Sequence, residues 1–239
     1  MKIGILQCDA VKPQFRERHG DYPAMIQSLF KQVEPALSFK IYDVVNGHYP
    51  TDLNECDGYI TTGSKASVYD GNAWIAELQG FISRLRQAEK RLIAICFGHQ
   101  LVAQAFGGQV EKSERGWGVG VHVMAVKRAV PWMEPPLENC HLLVSHQDQV
   151  VELPTEAVLI AGSAFCPHAM FQLGSSILAI QGHPEFTKPY ARALIEFRRH
   201  LLGEAVYTAA IESLQHHTDE QNIARWMIRF ITRTSSNEL

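Results

Sequence analysis

The stretch Arg91-Leu92-Ile93-Ala94-Ile95-Cys96-Phe97-Gly98-His99-Gln100 carries a short apolar run into a cysteine and then into a glycine-bearing turn. An apolar run this short, ended by a turn signal, reads as a buried strand over residues 92–96. Residues 98–106 then read as a helix stopped by Gly107-Gly108. Cys96 falls at the strand-to-helix turn, the geometry that exposes a nucleophile at a sharp elbow and points a positive helix end at it. That helix end and a nearby histidine would both favour the reactive thiolate. A small buried thiol at a strand end fits the same residues. The segment alone leaves both readings open.

Working outward, the same alternation continues. Residues 2–7 read as a strand, and Asp21-Tyr22-Pro23 as a helix start with Asp21 as cap, followed by Met25, Ile26, Leu29 and Val33 at helical spacing. Residues 39–45 form the next expected strand, closed by Asn46-Gly47, and Tyr59-Ile60-Thr61-Thr62 runs into Gly63-Ser64. A helix over residues 73–89 presents Trp74, Ile75, Leu78, Phe81, Ile82 and Leu85 on one face. Strands and helices in alternation with short connections predict an α/β fold with a mostly parallel central sheet and helices on both faces. In such sheets ligands bind beyond the carboxyl ends of the strands, which is where Gly63-Ser64, Cys96 and His183 fall. Between Trp117 and Ile180 the character changes. Valine-rich runs at 119–126, 142–144, 158–161 and 177–180 alternate with Pro, Gly and Ser turns and read as a small antiparallel region. Residues 187–202 return to helix. Two more helical stretches follow Gly203, with Ile211, Leu214, Ile223, Trp226, Met227 and Phe230 as buried positions, and Thr234-Ser235-Ser236-Asn237 reads as a frayed end.

Composition narrows the function classes. The chain has 239 residues, 46% apolar and 20% charged, enough for one large domain with a real core. A net charge of −3 gives no electrostatic reason to expect nucleic acid or an anionic membrane as partner. No apolar run approaches the roughly 18 residues of a membrane span, and Met1-Lys2-Ile3-Gly4-Ile5-Leu6 reads as a first strand rather than a signal peptide. The five cysteines (Cys8, Cys56, Cys96, Cys140, Cys166) show neither a disulfide framework nor zinc-ligand spacing. A reduced, cytoplasmic enzyme with no metal and no cofactor is expected. Trp117, Trp132 and Trp226 read as packing residues and His216-His217 as solvent-facing.

The second informative stretch is Gln181-Gly182-His183-Pro184-Glu185. In an extended segment residues two apart project to the same side, so Glu185 can flank His183 and fix its tautomer. His183 could then take the Cys96 proton and later protonate a leaving amine. As a set, Cys96, His183 and Glu185 point to a cysteine-nucleophile enzyme. Acyl transfer also needs donors for a tetrahedral oxyanion. Phe97 N–H is one candidate, and the Gly63-Ser64-Lys65 loop could present another, although on local evidence alone an ordinary strand-end turn is the safer reading of the loop. His99 reads as a local hydrogen-bonding residue, and His146 and Asp148 as pocket structure.

These two motifs, with Val144-Ser145-His146-Gln147-Asp148-Gln149-Val150 and Cys166-Pro167-His168-Ala169-Met170, make the chain similar to the class I (triad-type) glutamine amidotransferases, in particular to the amidotransferase domain of GMP synthase. The resemblance implies a flavodoxin-like α/β domain over residues 1–202, with 203–239 a helical extension packed on it. It implies hydrolysis of the γ-amide of glutamine through a γ-glutamyl thioester, releasing ammonia. By position, Cys96 matches the nucleophile, His183 the base and Glu185 its orienting acid. Ser64, Gly63 and Phe97 match the oxyanion hole, and Gln100, Ser145, His146 and Gln147 the substrate pocket. The sequence departs from the family pattern at three places: Gly63-Ser64-Lys65 stands for the usual Gly-Gly-Pro, Ala94 for a frequent glycine, and Gly182 for a frequent phenylalanine, the last expected to leave room beside the site. No synthetase follows in this sequence, so amidotransferase activity would need a separate synthetase partner, or the protein is not a synthetase subunit at all. Two alternatives stand beside glutamine hydrolysis: a γ-glutamyl peptidase acting on γ-glutamyl peptides or glutathione conjugates, and a non-catalytic binding or regulatory protein on the same fold.

Overall fold

A computed structural model of the chain describes residues 1–233; the expected frayed end from Thr234 lies outside the described residues. In chain order the first half comprises β1 (Lys2–Gln7), α1 (Pro13–His19), α2 (Tyr22–Val33), β2 (Ser38–Asp43), β3 (Gly58–Thr61), α3 (Ala73–Gln87), β4 (Arg91–Ile95) and α4 (Phe97–Ala105). Seven strands follow: β5 (Gln109–Lys112), β6 (Gly118–Val126), β7 (Asn139–His146), β8 (Asp148–Glu152), β9 (Ala157–Gly162), β10 (Met170–Leu173) and β11 (Ile177–Ile180). The chain then closes with α5 (Lys188–Phe197), α6 (Arg199–Leu202), α7 (Glu204–Ser213) and α8 (Glu220–Thr232).

Nine strands form one sheet in the order β2-β1-β3-β4-β11-β10-β9-β6-β7, and β5 pairs with β8 in a small second sheet. The pairs β1–β2, β1–β3, β3–β4 and β4–β11 are parallel, and the remainder of the large sheet is antiparallel. The expected α/β architecture with a small antiparallel region is therefore present. Leu92, Ile93, Ala94 and Ile95 of β4 are all fully buried, as a strand covered on both faces requires.

Residues 177–180, expected in the antiparallel set, occupy the boundary instead: β11 runs parallel to β4 and antiparallel to β10. Apolar periodicity marks a buried strand but carries no information on its partner's direction. β2 stops at Asp43, two residues earlier than expected, because the Asp43 carboxylate accepts Asn46 N–H and turns Val44–Asn46 into a short 3-10 helix that ends on Gly47 in the left-handed region. α1 gives no sequence signal, since none of its residues is buried and it has no apolar period to read. The helix expected over 187–202 breaks at Arg198 into α5 and α6.

Two packing contacts position the site. Gly98 at the start of α4 lies so close to β3 that a Cβ there would sit 2.0 Å from Thr61 Oγ1. The same hydroxyl accepts Ile95 N–H at 3.0 Å. The end of β3, the end of β4 and the start of α4 are thereby pinned together. On the other side, α8 places Ile223, Trp226, Met227, Phe230 and Ile231 in one core cluster with Ile3, Ile60 and Ile93 of the parallel strands. Trp226 donates to Pro135 O at 2.9 Å and packs edge-on against Trp132, 6.1 Å between rings. Both indoles are core residues, as expected. No helix among the described residues is long and apolar enough to cross a membrane, and all five cysteines are free and buried.

Candidate active site

Cys96 caps the turn from β4 into α4 with φ 49° and ψ −96°. With Glu89 it is one of two non-glycine residues at positive φ among the described residues. A side chain held there costs on the order of 1–3 kcal/mol and persists only where its surroundings dictate it. Here Cys96 N–H donates to Ile180 O at 2.8 Å and Cys96 O accepts Gln100 N–H at 3.1 Å, so the neighbouring strand β11 and helix α4 grip the residue.

His183 enters from the end of β11. Its N–H donates to Leu143 O of β7 at 2.8 Å, and its carbonyl accepts Phe186 N–H at 3.3 Å. Residues 183–186 thus form a tight turn rather than the extended segment expected from sequence. The turn nevertheless brings the two side chains together, with His183 Nδ1 2.7 Å from Glu185 Oε1. The imidazole stacks on Phe186 at 3.9 Å and 11°, which fixes its plane. Burial acts to push the imidazole pKa down, but the Glu185 carboxylate and the hydrogen-bonded Cys96 outweigh it, and the net shift is upward. The protonated ring is therefore the form this site favours. With Nδ1 taken by Glu185, the other ring nitrogen is the one left to serve the thiol.

Gly63 completes the junction. A Cβ at this position would lie 2.8 Å from His183 Cε1 and 3.6 Å from Cys96 Cβ, so loop, imidazole and thiol meet at a point only glycine fits. Gly63→Ala should displace the ring and lower kcat by about 10- to 100-fold, since small misplacements at a reacting centre cost on that order. Its circular dichroism and thermal midpoint should stay near those of the native chain, and steady-state kinetics beside a melting curve checks both.

Among the described residues no acceptor takes the N–H of Phe97, Gly63 or Ser64, leaving these donors free beside Cys96. The loop is held from behind by Asp9, whose carboxylate accepts Lys65 N–H at 3.0 Å and pairs with Lys65 Nζ at 3.2 Å. Asp9 gives no sequence signal; it lies 56 residues away and follows a strand of ordinary composition.

Cys96 opens onto a cleft of about 280 Å³. Ser64, Lys65, Ala66, Ser67 and Tyr69 form one wall, Gln100 another, and Lys112, Trp117, Ser145, His146, Gln147, Asp148 and Arg198 the remainder. The structure thus brings every sequence-expected pocket residue to one cleft, together with Lys112, Tyr69 and Arg198, which sequence reasoning missed. Gln100 Nε2 donates to Asp148 O at 2.8 Å and to Gln181 Oε1 at 3.0 Å, and Gln181 Nε2 reaches Cys96 Sγ at 3.5 Å. Both Gln100 amide hydrogens are used internally, so what it can offer a ligand is its carbonyl oxygen. Ser145 Oγ accepts Arg198 Nη1 at 2.6 Å, and the guanidinium lies over the Trp117 ring at 5.1 Å. Trp117 packs against a hydrophobic cluster, as expected, and also forms part of the cleft wall. Cationic Lys65, Lys112 and Arg198 with anionic Asp148 suit a zwitterionic amino-acid end.

Two histidines nearby are not alternative bases. His146 has Nδ1 at 3.1 Å from Asp148 O and a buried, unpartnered Nε2, and burial drives its pKa down to about 3. His99, likewise lowered to about 3 by burial, contacts His168 O at 2.8 Å across 69 residues, so its hydrogen bond is long-range rather than local. Gly182 does not leave room: the position a Cβ would take is 3.0 Å from Leu142 Cβ and Cδ1 and 3.5 Å from Leu143 O. A larger cavity of about 750 Å³ lies between α2 and residues 184–189 and contains none of Cys96, Ser64 or Gln100. Among the described residues, metal-ligating side chains converge at His141, His217 and Asp219, none of which lines the cleft.

The family model "Glutamine amidotransferase class-I" matches residues 36–199. The chain belongs to this family. Within it, the chain is 29% identical over 181 residues to gamma-glutamyl peptidase 3 of Arabidopsis thaliana, covering 72% of each protein. It is 31% identical over 137 residues to GMP synthase [glutamine-hydrolyzing] of Christiangramia forsetii, covering 57% of this chain but 26% of that one. A glutamine amidotransferase structure from Thermotoga maritima superposes with a TM-score of 0.75 at 16% identity, covering 97% of this chain and 96% of that one, which establishes the shared fold. The amidotransferase match spans β3, β4, α4 and β11 and so includes every strand end from which the cleft is built.

Proposed function

We propose that this chain hydrolyses γ-glutamyl amide bonds with Cys96 as nucleophile. Cys96 Sγ attacks the γ-carbonyl, and Phe97 N–H and the Ser64 N–H receive the oxyanion. His183, oriented by Glu185, protonates the leaving amine, and a γ-glutamyl thioester remains on Cys96. Water activated by the same imidazole then releases glutamate and restores the thiol. The observation that carries this reading is the convergence of a Glu185-bound His183 and the unoccupied Phe97 and Ser64 N–H groups around a strained Cys96, which with Ser64 opens onto the cleft.

For the substrate, γ-glutamyl peptides rank first. Lys65 is paired with Asp9, which leaves Lys112 and Arg198 as two cleft cations where the α-carboxylate of glutamine calls for one, and a peptide adds a second carboxylate. Relatives named gamma-glutamyl peptidase, matched over 72% of the chain, support the same choice. The second reading, glutamine hydrolysis with ammonia passed to a separate synthetase partner, draws on the similarity to GMP synthase. Buried free thiols at all five cysteines are consistent with a reducing, cytoplasmic setting. Glutamate release from glutamine and from γ-glutamyl di- and tripeptides should be compared on one preparation. A kcat/KM at least about tenfold higher for a peptide is expected, one extra well-made ionic contact being worth about that factor. Turnover of glutamine alone would transfer the assignment to the second reading.

A further inference from the structure

His141, His217 and Asp219 lie outside the cleft, and the proposed hydrolysis uses none of them. Their potential ligand atoms all fall within 4.8 Å of one another. His141 Nδ1 is 3.0 Å and His217 Nε2 is 3.9 Å from the same oxygen, Asp219 Oδ2. Backbone bonds fix the first two: His141 N–H donates to Asp219 Oδ2 at 2.8 Å, and Asp219 N–H donates to His141 O at 2.9 Å. This reciprocal clamp ties β7, the edge strand of the large sheet, to the connection between α7 and α8. The third group is adjustable, since the His217 ring is 69% exposed and only two residues from Asp219.

We infer that these three side chains form a binding site for a first-row divalent transition cation, with zinc the best match. Zinc holds imidazole nitrogens and carboxylate oxygens about 2.0–2.2 Å away, so neighbouring ligand atoms stand about 3–3.5 Å apart. The His141–Asp219 spacing already meets that, and a rotation of the exposed His217 ring closes the remaining ångström. Two imidazoles with one carboxylate select a borderline metal over calcium or magnesium, which prefer all-oxygen shells. Water completes the coordination on the open side. Sequence spacing hid the site, because His141 lies 78 residues from Asp219 along the chain. The bound ion would hold down the strand that also supplies Leu143 O to His183 N–H and presents Ser145 and His146 to the cleft. Its role is therefore to brace the wall of the site, with no part in the chemistry.

Zinc chloride should be titrated by calorimetry into the full chain carrying Cys96→Ala, so that the thiol–imidazole pair cannot capture the metal. One equivalent should bind, and the thermal midpoint should rise with zinc concentration. His217→Ala, at an exposed position, should leave the zinc-free midpoint unchanged, weaken binding by about tenfold or more and abolish the zinc-dependent rise. His141→Ala should weaken binding similarly. Saturable binding that neither substitution weakens, or no saturable binding to the unsubstituted site, would overturn the assignment.

Discussion

Cys96→Ala is expected to hydrolyse γ-glutamyl substrates at least about 10⁴-fold more slowly than the native chain, the scale on which removing an activated nucleophile acts. The loss should fall on kcat, because the cleft walls that would hold the substrate are untouched. The fold should survive. Alanine occupies the same volume up to Cβ, keeps the backbone bonds to Ile180 and Gln100, and gives up only the thiol's own contacts, its hydrogen bond with His183 and a 3.5 Å approach from Gln181 Nε2. A thermal midpoint close to the native one, measured on the sample used for kinetics, separates lost chemistry from lost structure. A substituted chain that turns over at the native rate would remove Cys96 from the mechanism altogether.

Glu185→Gln should be almost as damaging, lowering kcat by about 10³- to 10⁴-fold, because a carboxamide can present the imidazole with the wrong tautomer. The carboxylate side chain is fully buried and bonded at 2.7 Å to Nδ1, so no water can replace it as orienter. The charge has a second consequence. Burial disfavours the protonated ring and the Glu185 charge favours it, with the charge ahead. Neutralising residue 185 therefore lowers the His183 pKa, and the limb of the pH–rate profile governed by that ring should move to lower pH. A rate loss with the limb unmoved would show that Glu185 supports packing without acting on the base.

Much of this site is legible in the amino-acid sequence because its chemistry is local. A strand end delivers Cys96 directly into a helix, and His183 and Glu185 stand two residues apart. An extended segment is not what aligns that second pair; a turn closed by Phe186 N–H does so. The parallel half of the fold is readable for the same reason, since β1, β3 and β4 are short apolar runs that end on turn residues. What stays hidden depends on long-range partners. Asp9 holds the Gly63-Ser64-Lys65 loop from 56 residues away, and Arg198 reaches Ser145 across 53. Residues 177–180 are recognisable as a strand, but not as the one joining the parallel and antiparallel halves. Gly182 shows the limit in the other direction. A small residue suggests open space, yet Leu142 fills it.

The most direct measurement of the central claim is intact-protein mass spectrometry of the chain quenched in acid during turnover of a γ-glutamyl peptide. A covalent adduct equal in mass to one γ-glutamyl group, mapped to the peptide containing Cys96, discharged by hydroxylamine and absent from Cys96→Ala, is the predicted result. Sustained glutamate release without any adduct on Cys96, and undiminished in Cys96→Ala, would contradict it.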